Sequence, residues 1–141
     1  AGAWQIGTPP LLATAPLDGA LDVVEDAGID ALREKSVALT EYLVALTDAR
    51  LAEHGFAVGT PRDPDRRGGH VALEHAEGYR ISEALRDRGI VVDYRPPDVV
   101  RVAPSPYYVT FEEVWSVVDD LVEIVEDGVY EGYKQEAGGV T

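Results

Sequence analysis

Apolar residues recur along this chain with two periods. From Ile29 the series Ile29, Leu32, Ser36, Leu39, Leu43 and Leu46 is spaced 3, 4, 3, 4, 3. That spacing predicts an amphipathic helix over about 29–54, ended by Gly55, with one polar residue in its stripe. Upstream, Leu17, Leu21 and Val24 share a face and predict a shorter helix, with Thr14 as its cap, Pro16 in its first turn and Gly28 as its stop. Two further helices follow the same rule. One runs over Glu77–Arg88 with Ile81 and Leu85 inward and Gly89 as its stop. The last starts at the capping box of Thr110 and Glu113 and carries Phe111, Val114, Trp115, Val118, Leu121, Val122 and Val125. Short apolar or alternating runs predict four strands: 56–58, 70–75, Ile90–Val92 and about 99–103.

Between the first two strands, Thr60 to Gly69 holds prolines, glycines, aspartates and three arginines. Alternating charge predicts a solvated turn there rather than a phosphate site. The order is helix, long helix, strand, strand, helix, strand, strand, helix. It predicts an α+β fold: a small, mostly antiparallel sheet of about four strands covered by helices.

Composition narrows the class. The 141 residues fit one modest core, and 45% apolar content is that of a folded domain. Net charge is −14, which argues against nucleic acid and against anionic membranes as partners. Cysteine is absent, so thiolate metal sites and disulfides are excluded, and His54, His70 and His75 are too scattered for a metal site. No apolar run reaches the length of a membrane span. Methionine is absent and the start at Ala1 is abrupt, which leads us to expect a piece of a longer protein. Only two lysines, Lys35 and Lys134, stand against ten arginines.

Candidate chemistry centres on Arg101, which interrupts Val99-Val100-Arg101-Val102-Ala103 between prolines. Its guanidinium is always charged and forks to match a carboxylate. Either it is a surface arginine on an edge strand, or it pairs with a local acid such as Asp93 or Asp98, or it binds a ligand carboxylate. A second feature is the Gly7-Thr8-Pro9-Pro10 turn, where Thr8 either bonds its own backbone or donates to a phosphate.

Several stretches together resemble the C-terminal part of the kynureninase family, pyridoxal-phosphate enzymes of the aminotransferase-like type I fold. They are Ile6 to Pro10, Leu32 to Thr40, Thr60-Pro61-Arg62, Arg67 to Val71, Arg88 to Arg95, Arg101 to Pro104 with Tyr108, and Phe111 with Val114-Trp115. The resemblance covers nearly the whole chain in one register. It implies hydrolysis of L-kynurenine, or its 3-hydroxy form, to L-alanine and anthranilate or 3-hydroxyanthranilate, in tryptophan catabolism and NAD biosynthesis, by a cytoplasmic homodimer. Pyridoxal 5'-phosphate is the electron sink of that chemistry. By the same resemblance Arg101 falls on the substrate-carboxylate position and Thr8 on a position near the cofactor phosphate. The resemblance also places residues 1–28 as a connecting segment with the first helix and 29–141 as the small domain. The family's Schiff-base lysine belongs to the N-terminal large domain, and neither Lys35 nor Lys134 has a matching context, so the chain alone is expected to be inactive. Two alternatives are the small domain of another type I family and a free-standing α+β module that binds a carboxylate without catalysis.

Overall fold

The computed structural model describes Gly7 and residues 10–135. A single helical turn, α1 (Leu11–Thr14), leads into α2 (Pro16–Ala27). Thr14 does not cap α2 as expected. Its hydroxyl bonds back to the carbonyls of Pro10 and Leu11, the competing use of a threonine side chain inside a turn. Ala15 occupies the cap position and Pro16 the first turn, where its missing N–H costs nothing. The predicted apolar face forms but is left open: α2 buries no residue, and Leu17 and Leu21 are exposed.

Gly28, at φ +77°, stops α2 and turns the chain into α3 (Ile29–Leu46). A residue with a Cβ is strained at that φ. Helical backbone continues through a π turn at Thr47–Leu51 and a 3-10 turn at Ala52–His54, so the expected run to Gly55 is present with a change of winding. Leu32, Ser36, Leu39, Leu43 and Leu46 are buried as the stripe requires; Ile29, at its start, is exposed.

Four strands, β1 (Ala57–Val58), β2 (Val71–Glu74), β3 (Asp93–Arg95) and β4 (Val99–Val102), form one antiparallel sheet in the order β1-β2-β4-β3. Ile90–Val92 is not a strand, contrary to expectation. Pairing starts only at Asp93, where the register with β4 begins, and Val91 lies in solvent. The sheet's core face presents Val71, Leu73, Val100 and Val102. Against it pack α3, α4 (Gly78–Asp87) through Ile81, Ala84 and Leu85, and α5 (Phe111–Glu126) through Val114, Val118, Leu121 and Ile124. Burial of each large aliphatic side chain contributes roughly 1.5–3 kcal/mol. α5 begins at the expected box: Thr110 accepts from the Glu113 N–H, and Glu113 accepts from the Thr110 N–H. Gly78 lets α4 meet the β3–β4 turn closely, since a Cβ there would lie 2.7 Å from the Asp98 carbonyl oxygen. Past α5 the tail is fastened by Arg80, which donates to the carbonyls of Tyr133 and Glu131.

Candidate functional site

Arg101 is the third residue of β4, flanked by the buried Val100 and Val102. Strand alternation sends those neighbours into the core and Arg101 to the opposite face of the sheet. There it stands level with Ala72 of β2 and Asp93 of β3, so its strand is paired on both sides and is not the edge strand the sequence allowed. Its Nη2 forms an ion pair with Asp93 Oδ2, and the same oxygen accepts from Arg95 Nε at 2.8 Å. Of the two acids weighed from the sequence, Asp93 is therefore the partner. The pair is not enclosed: 36% of the Arg101 side chain and 43% of the Asp93 side chain remain open to solvent. The β3–β4 turn that presents it contains a cis Pro96–Pro97 bond. It is closed by the Tyr94 hydroxyl, which donates to the Pro97 carbonyl at 2.6 Å. The Tyr94 ring in turn meets Tyr79 edge-on at 5.3 Å, tying the turn to α4.

A groove of about 460 Å³ lies on the other side of β4. Ile90, Val92, Val102, Pro104, Tyr108 and Val117 give it an apolar wall. The run that fails to pair as a strand thus lines a groove instead. Its polar residues include Glu113 and Asp120. The Thr110 backbone N–H, helped by the Thr110 hydroxyl, holds the Glu113 carboxyl below its usual range. Asp120 is paired with Arg88, whose guanidinium is held in its charged form by that contact. Neither Lys35 nor Lys134 lines the groove, and Arg101 does not open into it.

The arginine-rich loop is partly misjudged by its composition. Arg62 does sit in solvent, forked onto Asp48 at 2.6 and 2.8 Å, and this pairing holds the Asp48 carboxyl below its usual range. Arg67 does not: its side chain is 1% exposed. Its Nε donates to Thr40 Oγ1 at 3.1 Å, its Nη1 donates to the Arg62 carbonyl, and its Nη2 lies 3.5 Å from Glu41. Nη2 is buried without a hydrogen-bond partner among the described residues, and at 1% exposure the guanidinium presents no open face to a phosphate from solvent. Nothing in the local sequence signals this burial, because two of its three partners, Thr40 and Glu41, come from α3.

His75 is structural. Its Nδ1 accepts from the Glu77 N–H at 3.0 Å, which leaves Nε2–H to donate to the His54 carbonyl at 3.1 Å. Burial pushes its pKa down. Among the described residues no cluster of three metal-ligating side chains occurs, and no helix is long and apolar enough to cross a membrane. Thr8 lies outside the described residues. Neither the groove nor the Arg101 face offers a lysine or a phosphate cradle, so the described residues do not by themselves form a pyridoxal-phosphate site.

The comparisons with known proteins agree with one another. A family profile described as the kynureninase C-terminal domain matches residues 32–121. A kynureninase of Bacillus thuringiensis subsp. konkukian is 51% identical over 135 residues, covering 96% of this chain and 31% of its own. A kynureninase of Geobacillus thermodenitrificans is 44% identical over 136 residues, covering 96% of this chain and 32% of its own. The chain therefore spans about a third of the length of these relatives. Among solved structures, a NifS-like protein superposes with a TM-score of 0.70 over 90% of this chain and 38% of its own, at 17% identity. That likeness shows the fold alone.

Proposed function

Because the chain belongs to the kynureninase C-terminal domain family, we propose that it is the part of a kynureninase that anchors the α-carboxylate of L-kynurenine or its 3-hydroxy form. Arg101 carries this reading. It is a fixed charge on a strand pinned from both sides by buried valines, with a side chain that solvent still reaches. Its contact with Asp93 engages one nitrogen, Nη2, and a carboxylate can take two N–H donors in parallel.

Neither Lys35 nor Lys134 lines the groove; in this reading catalysis belongs to the whole enzyme, with the large domain of the relatives completing the site. In that reading residues 1–28 connect the two domains, and Thr8 reaches toward the cofactor phosphate in a cytoplasmic homodimer. Pyridoxal phosphate would supply the electron sink. This chain's part is to hold the substrate and orient it.

In the full-length enzyme, Arg101→Ala lowers kcat/KM for L-kynurenine about tenfold to hundredfold, as expected for the loss of one charge-assisted pair. The loss appears chiefly in KM, with the fold kept. Unchanged kinetics in that variant would remove the assignment. A carboxylate-binding module without catalysis is disfavoured by the match to kynureninases over 96% of the chain.

A further inference from the structure

Arg101 is not alone on its face of the sheet. Asp93 faces it directly in the antiparallel register, and one oxygen of Asp93 receives both Arg101 Nη2 and Arg95 Nε. Three charges thus meet, two positive and one negative, and the trio keeps one unmatched positive charge. A carboxylate arriving from solvent completes that balance. Glu74, further along the same face, packs over Gly59.

The geometry divides the work between the two partners of Arg101. The β4 ladder fixes its Cα, but four rotatable bonds separate that Cα from the guanidinium. Asp93 holds the far end by an ion pair at one nitrogen, which restricts where the fork can lie and engages no other donor of Arg101 among the described residues. Arg95 draws on the same Asp93 oxygen, so Asp93 orients Arg101 without cancelling its charge.

We propose that Asp93 is a positioning residue for Arg101, fixing the guanidinium plane for the substrate carboxylate, with Arg95 as the balancing cation. This rests on Arg101 being the carboxylate anchor. Positioning and simple electrostatics make opposite predictions here. Removing a negative charge beside a carboxylate site should tighten substrate binding if charge alone matters. Removing an orienting contact should weaken it.

The test is steady-state kinetics of the full-length enzyme with L-kynurenine. Asp93→Ala is expected to raise KM about tenfold while kcat stays within about twofold. Asp93→Asn, which keeps an oxygen acceptor at the same place, restores most of that loss. The double variant Asp93→Ala with Arg101→Ala is no worse than Arg101→Ala alone, since both act through one guanidinium. If Asp93→Ala does not accumulate as folded enzyme, the isosteric Asp93→Asn decides: positioning keeps its KM at or up to about threefold above that of the unmodified enzyme, whereas loss of charge alone lowers it. A KM that is unchanged or lower in Asp93→Ala, losses that add in the double variant, or a KM that falls in Asp93→Asn overturns the proposal. Failure of the anchor itself has another signature: Arg101→Ala then leaves KM unchanged.

Discussion

The loop around Arg67 and the strand pair around Arg101 both place a guanidinium beside acids and prolines, and they use it in opposite ways. Arg67 is closed in by a threonine hydroxyl from α3, a carbonyl of its own loop and, at longer range, a carboxylate. Among the described residues the Arg101 side chain has one partner, which it shares with a second arginine, and a third of that side chain faces water. In the first region the charge is spent on joining a long loop to a helix. In the second it is left partly unmatched. A guanidinium held by uncharged oxygens out of solvent belongs to the fold, whereas one held at a single nitrogen on an open strand face keeps donors for a ligand. The number and kind of oxygens around each, rather than the residue type, separate the two roles.

The largest expected difference between the regions is in stability. Arg67→Ala removes a buried guanidinium, leaves a void, and strips a partner from Thr40 Oγ1 and from the Arg62 carbonyl. It is expected to destabilise the protein by about 3 kcal/mol or more. Arg101→Ala, at a half-exposed pair, should change stability by no more than about 0.5 kcal/mol. Urea denaturation of the two variants side by side measures both, and equal losses would erase the contrast. A smaller effect isolates one contact. Thr40→Val keeps the shape of the side chain but removes the acceptor of Arg67 Nε, and is expected to cost about 1.5 kcal/mol in the same assay. A neutral Thr40→Val would mean that the Arg62 carbonyl and Glu41 hold Arg67 unaided.

Much of this architecture is legible in the chain, and the failures have common physical causes. The α3 and α5 stripes, the Thr110–Glu113 box and three of the four strands are local patterns, set by residues close in sequence. Arg101 as an outward residue follows from the alternation Val100-Arg101-Val102. What could not be read depends on distant neighbours. The enclosure of Arg67 needs Thr40, 27 positions earlier. Ile90-Val91-Val92 has the composition of a strand, but whether it pairs depends on β4, whose register reaches only Asp93. Leu17 and Leu21 form the helical face their spacing predicts, yet a stripe specifies a face without specifying its cover. Asp93 was one of two acids within reach of Arg101, and only the antiparallel register selects it over Asp98. The proposed site is thus half legible: the anchor by pattern, its orienting partner by topology.

His75 offers a last and smaller test of how enclosure governs a polar group, because unlike either arginine it can lose its charge. Burial in the folded protein pushes its pKa below the ordinary 6.5, since the charged ring would give up water and the His54 carbonyl and nearby Glu77 offset only part of that loss. The unfolded chain therefore binds a proton at His75 more readily than the folded one. Stability from this residue is complete above pH 6.5 and declines as pH falls through that value, with the unfolded state taking up the proton first. The hydrogen bonds agree with a neutral ring: Nδ1 accepts from the Glu77 N–H, which a protonated nitrogen cannot do. Denaturation midpoints between pH 7.5 and 5.5 are expected to drop in the unmodified protein and to drop less in His75→Gln, where no proton can be taken up. An identical slope in both would place the titrating group elsewhere. It would also show that the pocket between Phe56 and Tyr130 tolerates a charged ring, as the open face around Arg101 tolerates a guanidinium.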